Sequence, residues 1–119
     1  MSFKVIPTPT PTFAKSLKAL AKRHRSLKED VKAFVAELER NPLQGVELTA
    51  GIRKISMAIK SKGAGKSGGA RVITYNVLVT EEEGEVYLLE IYDKSEYASV
   101  HEEVLKQMIE TLPILGEIE

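Results

Sequence analysis

Gly51-Ile52-Arg53-Lys54-Ile55-Ser56-Met57-Ala58-Ile59-Lys60, the segment 61–68 and Gly69-Ala70-Arg71-Val72-Ile73-Thr74-Tyr75 together decide the fold class. Over residues 54–60 the side chains alternate. Ile55, Met57 and Ile59 point one way; Lys54, Ser56, Ala58 and Lys60 point the other. A period of two marks a half-buried strand. Residues 63–69 form a glycine- and lysine-rich loop, and residues 70–79 are a β-branched run. Residues 81–84 read as a turn, with Gly84 where positive φ is easy. Residues 86–92 are a further β run, so the last two strands are expected as an antiparallel hairpin.

Upstream, residues 3–6 are a short apolar run suited to an edge strand. Pro7, Pro9 and Pro11 alternate with Thr8, Thr10 and Thr12, which excludes a helix interior and favours an extended connector. Thr10 or Thr12 then caps a helix with Pro11 in its first turn. Phe13, Leu17, Leu20, Ala21 and His24 share one helical face, while Lys15, Lys18, Lys22 and Arg23 fall mostly elsewhere. Ser26-Leu27-Lys28-Glu29 has the form of a capping box. A second helix follows with Leu27, Val31, Phe34, Val35 and Leu38 inward, and Asn41-Pro42 ends it. This αα-hairpin must lay its apolar stripes on the sheet. Downstream, Tyr97, Val100, Val104, Leu105, Met108 and Leu112 repeat at helical spacing. Ser99 with Glu102, or Ser95, offers the cap, and Pro113 the end. The order β-α-α-β-β-β-α describes an α+β domain with a mostly antiparallel sheet of about four strands.

The 119 residues suit one domain, 1–119. The absence of cysteine excludes a disulfide framework, a thiolate nucleophile and a cysteine-based zinc site. No apolar run approaches the roughly 18–20 residues of a membrane helix. The start, Met1-Ser2-Phe3-Lys4-Val5-Ile6-Pro7, lacks a signal-peptide core. A soluble, cytoplasmic domain with no membrane partner is expected. The net charge of zero hides a segregation. Residues 1–80 carry 15 Lys+Arg against 5 Asp+Glu, and residues 81–119 carry 2 against 12. Between Glu47 and Glu81 the only charges are Arg53, Lys54, Lys60, Lys62, Lys66 and Arg71. Either one basic face invites a polyanion, or the acidic segment folds back on the basic one.

Tested as chemistry, most motifs fall away. Gly65-Lys66-Ser67 lacks the earlier glycine of a P-loop, since Lys60 occupies that position, and a strand follows instead of a helix. His24 and His101 are the only imidazoles, with no carboxylate at ligand spacing, so no metal is expected. His24 reads as an amphipathic residue at a helix end. No Gly-x-Ser-x-Gly elbow is present. What remains is a lysine-bearing strand, a basic glycine loop and an arginine-bearing strand side by side. Cations on a rigid sheet can grip phosphate and stabilise charge that builds up during phosphodiester cleavage. A solvated hairpin with lysines for solubility accounts for the same residue types.

Residues 51–55, the loop 60–69, residues 69–75 and Leu88-Leu89-Glu90-Ile91-Tyr92-Asp93-Lys94-Ser95-Glu96 resemble the RelE/ParE superfamily of bacterial toxins from type II toxin–antitoxin systems. Within it they are most similar to the RelE- and HigB-like branch. The resemblance spans most of the chain. It implies a RelE-like fold: an N-terminal strand and αα-hairpin on the sheet, with a C-terminal helix. It also implies a metal-independent, cofactor-free endoribonuclease that cleaves mRNA on the ribosome. The 2′-hydroxyl attacks the adjacent phosphate and leaves a cyclic phosphate and a 5′-hydroxyl. Lys54 matches a strand lysine near the scissile phosphate, and Arg71 a phosphate-clamping arginine. His101 lies near a proton-transfer position, as base or acid, or else is a helix-face residue. Arg53, Lys60, Lys62, Lys66 and Lys94 would contact RNA. The implied partners are mRNA, the ribosome and a cognate antitoxin.

Two positions depart from that pattern. Ser56 stands where close relatives carry a second cation, and Ser95 replaces an arginine or asparagine. The superfamily also holds gyrase poisons. The alternative is therefore a non-nucleolytic protein on the same scaffold, either gyrase-directed or a decayed toxin serving as antitoxin-binding co-repressor.

Overall fold

Pro7 and Pro9 have no backbone N–H to give, so a strand that contains them must lie at a sheet edge. In the computed structural model, which describes residues 4–78, 83–96, 106, 107, 109 and 110, they do. β1 (Lys4–Pro9) pairs in parallel with β5 (Glu83–Asp93) at one edge. The sequence puts an extended connector here; parallel pairing turns it into strand, because only one side of β1 needs donors. β4 (Ala70–Leu78), β3 (Ile52–Met57) and β2 (Val46–Thr49) follow in antiparallel order. The sheet has five strands instead of four. Gly84, read as a turn residue, lies within β5 opposite Leu78.

Thr10 starts α1 (Pro11–Ala21) and fastens it to the sheet. Its hydroxyl accepts from the Phe13 amide at 3.2 Å and donates to the Leu88 carbonyl at 2.9 Å. α2 (Leu27–Arg40) stops at Asn41-Pro42, as the sequence requires. Phe13, Leu20, Leu27, Val31, Phe34 and Leu38 from the helices pack against Ile55, Met57, Val72, Val86, Leu88 and Ile91 on one sheet face. Ile59, which continues the alternation beyond β3, is buried there too. On the other face Ile52, Ile73, Tyr87, Leu89 and Tyr92 form a second cluster that Ile109 helps to cover. Residues 106, 107, 109 and 110 are helical. The caps read at Ser99 and Glu102, and most of the expected last helix, lie outside the described residues. No helix among the described residues is long and apolar enough to cross a membrane.

The expected capping box at Ser26 is absent. Ser26 has helical dihedrals, and its hydroxyl donates to the Asp30 carboxylate at 2.6 Å. The same oxygen accepts from the Ser61 amide at 2.8 Å, and Asp30 accepts from the Lys60 amide at 3.1 Å. A buried carboxylate one turn along is a stronger partner than a helix amide, and this one ties α2 to a 3₁₀ turn over Lys60–Lys62.

Asp93, at the end of β5, makes the second tie. Its buried carboxylate accepts from Lys62 Nζ at 2.7 Å and from the Ser95 hydroxyl at 2.7 Å. His24 Nε2 lies 3.0 Å from its other oxygen. Beside it Arg23 pairs with Glu96. Over these residues the acidic segment does fold back on the basic one. Burial alone would raise the Asp93 carboxyl; the bonds from Lys62, Ser95 and His24 outweigh it and hold the group well below the usual carboxylate range. A depressed folded pKa adds stability above the unfolded value, near 3.8, and loses it as the pH falls toward the folded value. Asp93→Asn should cost about 3 kcal/mol at pH 7, the scale for breaking a buried pair. Urea unfolding at stepwise lower pH should show that gap narrowing below about pH 4. A gap independent of pH would contradict the charge-based account.

Candidate active site

Side chains two apart on a strand share a face, so strand register fixes what meets on the face away from the helices. Three rows cross β3, β4 and β5. Ser56 pairs with Arg71 and Arg71 with Tyr92; Lys54 pairs with Ile73 and Ile73 with Glu90; Ile52 pairs with Tyr75 and Tyr75 with Tyr87. Lys54 and Arg71 are thus diagonal neighbours, about 7–8 Å apart by sheet geometry and somewhat closer between Cβ atoms. Their long side chains can meet on one phosphate. The Lys54 side chain is half-buried and makes no hydrogen bond or ion pair with another described residue.

Arg71 is already employed. Its guanidinium donates to the carbonyls of Lys66 at 3.2 Å, Ala70 at 3.2 Å and Ser67 at 3.1 Å. These bonds hold the glycine loop to β4 and use three of the five donors of the fork. The loop closes from the other side as well. The Lys94 amide donates to the Gly69 carbonyl at 3.1 Å. A Cβ at Gly69 would meet the Met57 carbonyl at 2.1 Å, so only glycine fits this approach.

Tyr92 lies beside Arg71, buried, with its phenol pushed up by burial while the Arg71 charge opposes the shift. The sequence assigned it no role. Tyr87 and Tyr92 are five apart, which strict alternation would send to opposite faces. A bulge opposite Ile73 and Thr74 brings both to the same face. The Tyr87 hydroxyl donates to Glu85 at 3.0 Å and its pKa is raised to about 12 by burial and that bond, so it holds its proton. Glu90, also unassigned from sequence, puts one carboxylate in the same row as Lys54.

The remaining expected cations scatter. Arg53 alternates to the opposite face and donates to the carbonyls of Gln44 at 2.8 Å and Gly45 at 3.3 Å. Lys62 is consumed by Asp93. Lys60 and Lys66 are exposed and, with Ser56, line a hollow of about 160 Å³ at the edge of β3 beyond the reach of β2. Lys94 is exposed just past β5. His101 lies outside the described residues. Among the described residues no three His, Asp or Glu side chains gather as a metal site. No known protein-family model matches the chain.

Chemically, the face offers two cations at diagonal spacing, a phenol and a hydroxyl on rigid strands, offset by one carboxylate. Such a set can neutralise an anion spread over phosphate oxygens. Arg71→Ala should free the loop and speed amide exchange at Gly68 and Gly69 about tenfold, the equivalent of one lost charged hydrogen bond. Lys54→Ala should leave those amides unchanged in the same hydrogen-exchange measurement.

Proposed function

We propose that the chain is a RelE/HigB-like toxin that cleaves mRNA on the ribosome, in the cytoplasm, and is neutralised by an antitoxin. The observation that carries this reading is the diagonal placement of Lys54 and Arg71 on one sheet face. The phosphate would sit over that diagonal, with Lys54 on one non-bridging oxygen and the two remaining Arg71 donors on another. His101 is proposed as the proton-transfer group, with Tyr92 as the phenol nearest the arginine. The element order, and the helical residues behind Ile109, are compatible with a RelE-like fold that ends in a helix.

A second reading has its own support. Ser56, opposite Arg71, leaves a neutral hydroxyl where relatives carry a cation. Arg71 spends three donors on its loop, and Glu90 subtracts charge. Losing one transition-state contact costs about 10²–10³ in rate. These features favour a binding protein on the toxin scaffold.

Induction in cells, with primer extension on a translated and an untranslated copy of one message, separates the two. The nuclease reading expects cuts confined to the translated copy, reduced about 10²-fold or more in Lys54→Ala. Growth arrest without cuts would point to another target, and neither cuts nor arrest would leave the binding protein.

A further inference from the structure

The αα-hairpin carries a second basic surface, remote in the chain from Lys54 and Arg71. Two hollows adjoin there and share Ala21 and Lys22. One, of about 390 Å³, is lined by Lys18, Lys22 and Lys28 over the small apolar side chains of α1. The other, of about 320 Å³, is lined by Lys22, Arg23, His24, Arg25 and Ser61. Among the described residues no acidic side chain lines either hollow. Of the described acids around this corner, Asp93 lies buried beneath His24 and is met by Lys62, Glu96 is held by Arg23, and Asp30 is held by Ser26, while Glu29, next to Lys28, is exposed and faces Lys32 at 3.9 Å. The C-terminus of α1 and the N-terminus of α2 meet at this corner with opposite dipoles, so the potential comes from the side chains.

We infer that this trough is a phosphate-backbone site for RNA, separate from the sheet face. The surface is held in place rather than merely charged. His24 is fixed by Asp93, and Ser61 is fixed by Ser26, whose hydroxyls lie 3.0 Å apart. The same Ser26–Ser61 contact joins the corner to the glycine loop, whose far end Arg71 holds. An RNA strand seated on the sheet face would reach the trough past Lys66 and Lys60, whose hollow Asp30 and Glu37 also line. A concave surface lined by Lys18, Lys22, Arg25 and Lys28, adjoining a loop that carries Lys60 and Lys66, matches a flexible chain of phosphates. The inference shares an RNA partner with the proposed function but does not need the RNA to be cut.

The test uses a fluorescent 2′-O-methyl oligouridine of about twelve nucleotides, which cannot react, and one of about four. Binding is read by anisotropy over a salt series for wild type, Lys54→Ala and the triple variant Lys22→Gln, Arg25→Gln, Lys28→Gln. All three corner side chains are exposed, so the variant should fold, which circular dichroism checks. The triple variant should bind the long oligonucleotide about tenfold or more weakly, with a salt slope shallower by about two, and bind the short one as wild type does. Unchanged long-oligonucleotide binding in the triple variant overturns the inference. If Lys54→Ala then weakens binding, the sheet reading survives alone. Weakening by the triple variant but not by Lys54→Ala supports the trough and removes the sheet site. Stronger binding to anionic lipid vesicles than to RNA, lost in the triple variant, would reassign the trough and overturn an RNA site.

Discussion

A carboxylate buried at the end of a central strand has to be met by donors from whatever packs around it, and Asp93 is met from three directions. Lys62 comes from the 3₁₀ turn, His24 from the helix corner and Ser95 from the chain just beyond β5. Those donors fix how the αα-hairpin and the glycine loop sit on the sheet. Hydrophobic packing on the helical face supplies most of the driving force, yet apolar contact is non-directional. The Asp93 bonds, with the Ser26–Asp30–Lys60 set beside them, supply direction. Both basic surfaces depend on them, because the loop and the corner are the two elements so positioned.

Much of this was legible in the residues. The alternation of Ile55, Met57 and Ile59 was enough to identify β3 and its buried face, and the helical spacing of Leu27, Val31, Phe34 and Leu38 was enough for α2. β2 was not legible, because its four residues are half-exposed, with Val46 largely open, so no alternation marks them. The capping box failed because sequence spacing registers Glu29 but not the burial of Asp30. Pairing with β5 is a long-range event, and nothing local in the Pro-Thr run announces it.

The candidate site divides along the same line. Residue type and strand assignment were sufficient to point Lys54 away from Ile55 and to put Arg71 on the neighbouring strand; the register puts the two on one face. They were not sufficient to say which cations are free. Lys62 and Arg53 look in sequence like Lys60 and Lys66, yet one meets a buried carboxylate and the other two loop carbonyls. Tyr92 was hidden by the bulge, which breaks the period of two on which any reading of faces rests. The trough at the corner was hidden for a different reason. Lys18, Lys22, Arg25 and Lys28 span two helices and a turn, and only the packing of α1 on α2 makes them one surface.

Arg71 sets the remaining tension. A guanidinium that orders a loop through three carbonyls is rigid, which suits precise placement of a phosphate. The same bonds neutralise part of its donor capacity. A phosphate arriving at the sheet face has two donors of the fork at once, and a third only if the loop gives up a carbonyl. Lys66 and Ser67 supply two of those carbonyls, and both lie in the exposed loop. A strand running from the sheet face toward the helix corner would pass over that loop. Contacts to Lys66 and Lys60 could then compensate for each carbonyl bond released. If RNA binds as proposed, the two basic surfaces would be coupled through the loop: engagement of the corner would hold RNA over residues 60–69, and the freed guanidinium would strengthen the grip on a phosphate at Lys54. The neutral Ser56 makes that coupling matter more, since no second strand cation is there to substitute for Arg71.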